Sequence, residues 1–237
     1  MNDIKKFIRE SLIKFNEKEN RAVFYEMAMN LIKNNYEIEG FLLILSTWNF
    51  AFFRYGVKSF DRENFESKLQ EAFSKLNSID ELKKERNFFN INFDTHGDSI
   101  IKAYEKLSNH EIIGHTGASK ILHMKFPEAF VMWDDYITIR KPYKYYKNLK
   151  IIKTLKINEI CNNANKKLKR FTKNKESYLD FLKCMQQLYI NYLDDELLNE
   201  NFLQGKTIPK IIDEINYVNF TLPIVRQIKE KETRNKY

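Results

Sequence analysis

The chain has 237 residues, 43% of them hydrophobic, and a formal charge of +8, enough apolar content for one substantial core or two small interlocked ones. Only six glycines and four prolines exclude the turn-rich sandwiches and barrels, so an all-α fold is expected. Two isolated cysteines, Cys161 and Cys184, and four scattered histidines make neither a zinc nor an iron–sulfur pattern. No metal and no cofactor are expected, and the absence of a signal-peptide pattern or membrane-length apolar run points to a cytoplasmic protein with no membrane partner.

Residues 3 to 17 carry Ile4, Phe7, Ile8, Leu12 and Phe15 on one helical face, and residues 20 to 34 repeat the pattern with Val23, Met27 and Leu31. Gly40 then opens a run to Gly56 that is apolar nearly all round, which predicts one helix through the centre of the protein. Within it Trp48 offers aromatic surface to a cavity, and Asn49 needs either a partner or a pocket. Amphipathic helices are predicted over Asp61 to Asn77, with Phe65, Leu69, Phe73 and Leu76 inward, and over Ile79 to Phe89. Residues 90 to 97 read as a loop, and Asp98 or Ser99 starts a helix over Ile100 to Leu107.

The richest stretch is 111 to 140. Gly114 and Gly117 bracket His115 and Thr116 in a tight connection, and Ala118 to Lys125 has the spacing of a short helix with Ile121, Leu122 and Met124 inward. A helix opening on glycine exposes backbone N–H groups suited to phosphate oxygens. Pro127 stops this helix, and the run Phe130 to Trp133 carries Asp134 and Asp135 out of a buried segment. Trp133 suits either the core or an aromatic stack, while His115 and His123 are candidate phosphate donors or tuning groups. For the Asp pair the plain alternative is a helix cap and an acidic first turn.

This stretch resembles the helix-hairpin-helix DNA glycosylase superfamily, the endonuclease III and 8-oxoguanine glycosylase kind. The resemblance covers about thirty residues: the Gly114-His-Thr-Gly117 hairpin, Lys120, and Phe126-Pro-Glu-Ala-Phe-Val-Met-Trp-Asp134. It departs in having Gly-x-x-Gly for Gly-x-Gly, Lys120 three residues past the second glycine instead of two, and a shorter lysine-to-aspartate spacing. Ungapped from Gly117, the family lysine falls on Ser119, and an adenine-removing branch with serine there works without a lysine nucleophile. The resemblance implies a two-lobed helical fold with the hairpin at the seam. It implies double-stranded DNA gripped by Gly114, His115, Thr116, Gly117 and Ser119, and a base pocket to which Trp48, Asn49 and Trp133 are assigned. The implied catalytic carboxylate is Asp134, with Asp135 in reserve, and Lys120 is either an amine nucleophile or a phosphate contact.

From Arg140 to Lys175 there are thirteen lysines and arginines against one acid, Glu159, so this window carries net +12 and the remainder −4. Such a footprint suits a polyanion, with Arg140, Lys141, Lys144 and Lys147 nearest the hairpin; a solvated lysine-rich face is the plain alternative. Further helices are predicted over Ile157 to Phe171, over Ser177 to Leu197, and from Thr207 or Ile208 with Pro209 behind its start. No repeat or linker divides the chain. The expected organisation is a single unit, a monomer, with helical scaffold over 1–110, hairpin and catalytic segment over 111–140, and a basic helical half over 141–237. The expected function is a DNA glycosylase that extrudes and excises a damaged or modified base, in repair or in defence against modified invading DNA, with or without associated lyase activity. The alternatives are a non-catalytic helix-hairpin-helix DNA-binding protein and a helical protein–protein adaptor.

Overall fold

In the computed structural model, residues 2–76, 88–134, 175–193, 195–198, 200, 203, 205–223 and 225–226 are described. Among them there is helix and no strand, so the fold is all-α. Ten α-helices run in the order α1 (Asn2–Lys18), α2 (Ala22–Lys33), α3 (Glu37–Trp48), α4 (Phe50–Gly56), α5 (Arg62–Ser74), α6 (Phe93–Ser108), α7 (Gly114–Lys125), α8 (Lys175–Tyr189), α9 (Asp195–Leu198) and α10 (Ile208–Asn216). A π-helical turn, Tyr217–Thr221, continues α10. The predicted helix over 157–171 lies outside the described residues, as does all of 79–89 except its last two residues.

Helix α6 packs against α5, α7 and α8, α7 also reaches α2 and α3, and α10 lies on α1. The stripe predicted for α5 is buried in full, behind an Asp61 side chain that accepts the Asn64 N–H at 3.1 Å. On α1, Ile8, Leu12 and Phe15 are buried as their spacing requires.

Helix α2 buries a different face from the expected one. Val23 and Met27 are half exposed, while Ala28 is fully buried and Tyr25, Met29 and Ile32 pack on the core. Close approach decides this. A Cβ on Gly40 would come within 2.6 Å of Ile32 Cγ1 and 2.8 Å of the Ala28 carbonyl, so α2 and α3 touch through their smallest residues.

The single helix expected over Gly40 to Gly56 is broken at Asn49, whose φ of −130° is not helical. Its side-chain amide donates to the Ile113 carbonyl at 2.9 Å, so the polar residue in the apolar run finds a partner in another element. The loop expected over 90–97 is helical from Phe93. Asn92 caps it by accepting the Asp94 and Thr95 N–H groups, and Gly97 is tolerated in the first turns because Leu179 of α8 lies within 2.9 Å of where its Cβ would be. The helix predicted over 177–197 ends at Tyr189 and resumes only for Asp195–Leu198.

Gly114 to Gly117 forms the first turn of α7 instead of a separate connection, and the chain reverses over residues 109–113. Gly114 enters the helix at φ 59°, a conformation that favours glycine. Gly117 is needed for space: a Cβ there would meet Leu45 Cδ2 at 2.8 Å, Asn49 Nδ2 at 3.0 Å and Ile113 Cγ2 at 3.1 Å. Gly117→Ala is therefore expected to lower stability by about 1–3 kcal/mol, read as a reduced urea midpoint with unchanged helical circular dichroism.

Candidate functional site

Residues 117 to 124 of α7 are all buried, and three of them, Ser119, Lys120 and His123, are polar. Ser119 and His123 meet the segment that follows the helix, and Lys120 meets Trp48. The Ser119 hydroxyl lies 2.8 Å from the Thr116 carbonyl and accepts the Trp133 N–H at 3.2 Å. His123 Nδ1 is 2.6 Å from the Phe130 carbonyl, which only accepts, so this nitrogen carries the proton; Nε2 then accepts from the Tyr25 hydroxyl at 2.8 Å. The two residues together hold the extended segment 130–134 against α7. Thr207, which caps α10, donates to the Pro127 carbonyl at 2.8 Å and ties the same segment at its other end. Asp134, at the segment's end, accepts from Thr221 Oγ1 at 2.9 Å on the π turn.

Lys120 points inward. It is 4% exposed, and its ammonium lies 5.8 Å from the centre of the Trp48 ring. The polar residues of α10 stand at the same ring. Lys210 Nζ is 3.3 Å from Asp213 Oδ2, 3.5 Å from Glu214 Oε1, and 4.5 to 5.0 Å from the ring centres of Tyr25, Trp48 and Phe15. Lys206 meets the other Glu214 oxygen at 2.7 Å. Arg21 completes the surround: it holds Glu19, donates to the Tyr217 hydroxyl at 2.6 Å and covers Trp48 at 5.6 Å.

Charges this deep carry a desolvation cost that their mutual attraction offsets only when the geometry is good. Burial pushes the Asp213 carboxyl above its ordinary value, and Lys210 and Lys120 pull it back in part. Burial pushes the His123 imidazole down to about 3; the Phe130 contact opposes this and the charges of Lys210 and Lys120 add to it. Glu19 ends below its ordinary value because hydrogen bonds from Arg21 and Tyr217 outweigh the effect of its burial. The indole N–H of Trp48 is buried without an acceptor, in a setting that already holds three cations.

Trp48 and Lys120 thus come together at one centre, while Ser119 ties down the segment that ends in Asp134. Asn49 is engaged by Ile113. Trp133 is core: its indole N–H donates to the His115 carbonyl at 3.3 Å, and Tyr178 and Phe181 pack on its ring. His115 stacks on Tyr104, and Thr116 is half-buried at the start of α7. Asp135, Arg140, Lys141, Lys144 and Lys147 lie outside the described residues.

Against models of known protein families, curated protein sequences and solved structures, the chain gives no match. Sequence reasoning missed Tyr25, Lys210, Asp213 and Glu214. The one available signal was the spacing of Lys210, Asp213 and Glu214, which places a cation and two acids on one helix face and reads equally as a solvated surface. Among the described residues no group of three or more metal-ligating side chains comes together, and no helix is long and apolar enough to cross a membrane. An open depression of about 430 Å³ lies elsewhere, between α5 and the end of α6, lined by Asn64, Lys68, Lys106, Asn109, His110 and Glu111.

Because His123 is depressed in the folded state, the stability it contributes is present above its ordinary value of 6.5 and is lost as pH falls from there towards 3. Asp213, raised when folded, acts in the opposite sense and contributes most at low pH. His123→Gln is expected to flatten the fall in stability between pH 6.5 and 5, removing up to about 1.4 kcal/mol per pH unit of the wild-type slope. Urea midpoints of both proteins across that range measure it, and parallel slopes would contradict the assignment.

Proposed function

We propose that this chain is a DNA glycosylase that excises a damaged or modified base, acting on double-stranded DNA as a monomer. The observation that carries this reading is the placement of Lys120. It is held inside the protein at the ring of Trp48, on the helix whose Ser119 and His123 anchor the segment that ends in Asp134. On this reading α6, the turn at 109–113 and α7 are the helix-hairpin-helix element.

Breaking the bond between base and sugar leaves the sugar cation-like and sends negative charge onto the departing base. Asp134 offsets the first charge and the Lys120 ammonium the second, while water adds to the sugar carbon and the proton it gives up ends on the departing base, leaving a free sugar hydroxyl and a neutral base. An interior Lys120 suits this role better than a contact to backbone phosphate, which requires an amine at the surface. The buried Lys210, Asp213 and Glu214 of α10 fix the field around Lys120 before substrate arrives, so little reorganisation accompanies charge development.

Asp134→Asn is expected to keep the fold and most DNA affinity while losing base release by orders of magnitude, measured by mass detection of free base from duplexes carrying a panel of modified bases. Lys120→Met should lose base release as well, and borohydride should trap neither protein on DNA; trapping of the wild type alone would make Lys120 the nucleophile. Full activity in Asp134→Asn and in its double variant with Asp135→Asn would sink the reading. Reversing Lys141, Lys144 and Lys147 to Glu should weaken duplex binding and flatten its salt dependence. Salt-dependent binding with no base released from any duplex would leave a non-catalytic DNA-binding protein.

A further inference from the structure

On the short helix α4 two large aromatic side chains face solvent, Phe50 at its start and Tyr55 near its end. Phe50 is 57% exposed and Tyr55 71%, on a helix whose next residue, Val57, is 42% exposed. They are organised by Arg54, whose guanidinium lies 4.7 Å from the Tyr55 ring centre and 5.9 Å from that of Phe50, and donates to the Tyr55 hydroxyl at 2.8 Å. Scattered exposed apolar residues need no explanation, but two rings joined by one cation form a continuous polar-edged aromatic surface.

The local charge selects the partner. From Gly40 to Phe60 the chain contains no acid, while Arg54 and Lys58 supply cations. Of the flanking acids, Asp61 faces the first turn of α5 as its cap, Glu37 pairs with Lys125, Glu39 and Glu66 pair with Arg62, and Glu111 lines the depression beside Lys68 and Lys106. Aromatic and arginine side chains also occur at protein interfaces, but Arg54 and Lys58 pair with no carboxylate among the described residues, which favours a polyanion, and stacking on exposed rings is the sequence-tolerant way to hold a nucleobase. The patch is also held firmly. A Cβ on Gly56 would come within 2.6 Å of Ile112 and 2.8 Å of the Glu111 carbonyl, so the end of α4 is locked onto the turn between α6 and α7.

We infer that Phe50, Arg54 and Tyr55 form a stacking platform for an unpaired base of DNA, distinct from the interior centre around Lys120. The inference rests on the chain being a DNA-binding protein and not on its removing a base. The rings supply the apolar face, the guanidinium pairs with the π-surface or the adjacent phosphate, and a fully stacked duplex offers this platform no exposed base face.

The test uses the full chain and two fluorescein-labelled duplexes of equal length, one fully paired and one with a single bulged 2-aminopurine, and reads affinity by anisotropy and stacking by 2-aminopurine quenching. Wild-type protein is expected to prefer the bulged duplex by about tenfold or more and to quench the bulged base. Phe50→Ala with Tyr55→Ala should abolish both preference and quenching and leave affinity for the paired duplex unchanged. Since these side chains are exposed, the variant folds, which its urea midpoint verifies. Absence of preference in the wild type, or equal weakening towards both duplexes, would overturn the platform. A loss of self-association in the variant, without change on DNA, would overturn it in favour of a contact between copies. Preference for the bulged base, with no base released from any duplex of the modified-base panel, leaves the platform standing and removes the glycosylase reading; base release from that panel with no such preference does the reverse.

Discussion

Everything around the candidate site follows from the burial of α7 on all sides while three of its residues are polar. A buried helix face of Ser119, Lys120 and His123 is tolerable only if each group is matched, because an unmatched buried donor or charge costs about 1–3 kcal/mol or more. The matches are supplied by different parts of the chain: the 130–134 segment for Ser119, that segment and Tyr25 for His123, and the surroundings of Trp48 and α10 for Lys120. Satisfying one helix therefore fixes the relative positions of α2, α3, α10 and the segment carrying Asp134.

Helix α10 is where this requirement is most severe. Its apolar residues, Ile211, Ile212 and Ile215, face the core, and the opposite side, which in a surface helix meets water, is also covered. Two carboxylates and a lysine are thereby enclosed with three aromatic rings. An assembly of this kind contributes little net stability compared with well-packed apolar residues, but losing one member leaves an uncompensated charge. Its value lies in specifying one arrangement of the interior, with an electrostatic field set by covalent structure instead of by mobile solvent.

The parts that were legible in the sequence are those where a local rule and the tertiary environment agree. The α5 stripe of Phe65, Leu69, Phe73 and Leu76 lies inward behind its Asp61 cap, and Thr207 with Pro209 starts α10 as such residues do. Where the two disagree, the distant partner prevails. Val23 and Met27 are more apolar than Ala28, yet Ala28 is the buried one because Gly40 approaches it; Asn49 breaks a helix because Ile113 offers an acceptor; Gly97 sits within α6 because Leu179 needs the room. The interior centre was half visible. Lys120 and Trp48 stood out locally, whereas Asp213 and Glu214 gain significance only because α1, α2 and α7 cover a face that spacing alone assigns to water.

The pairing of α1 with α10 has a consequence for how the protein is made. Arg21 is bonded to Tyr217 and Ser11 to Asn219, partners separated by 196 and 208 positions in the chain. On the ribosome the first two helices emerge long before the segment that buries Phe15, Glu19 and Trp48 has been synthesised. Until it arrives, those aromatic rings and the Glu19 carboxylate are without their final cover. Synthesis of residues 208–221 thus closes this interior, and a nascent chain stalled before residue 208 presents the uncovered rings to chaperones and proteases.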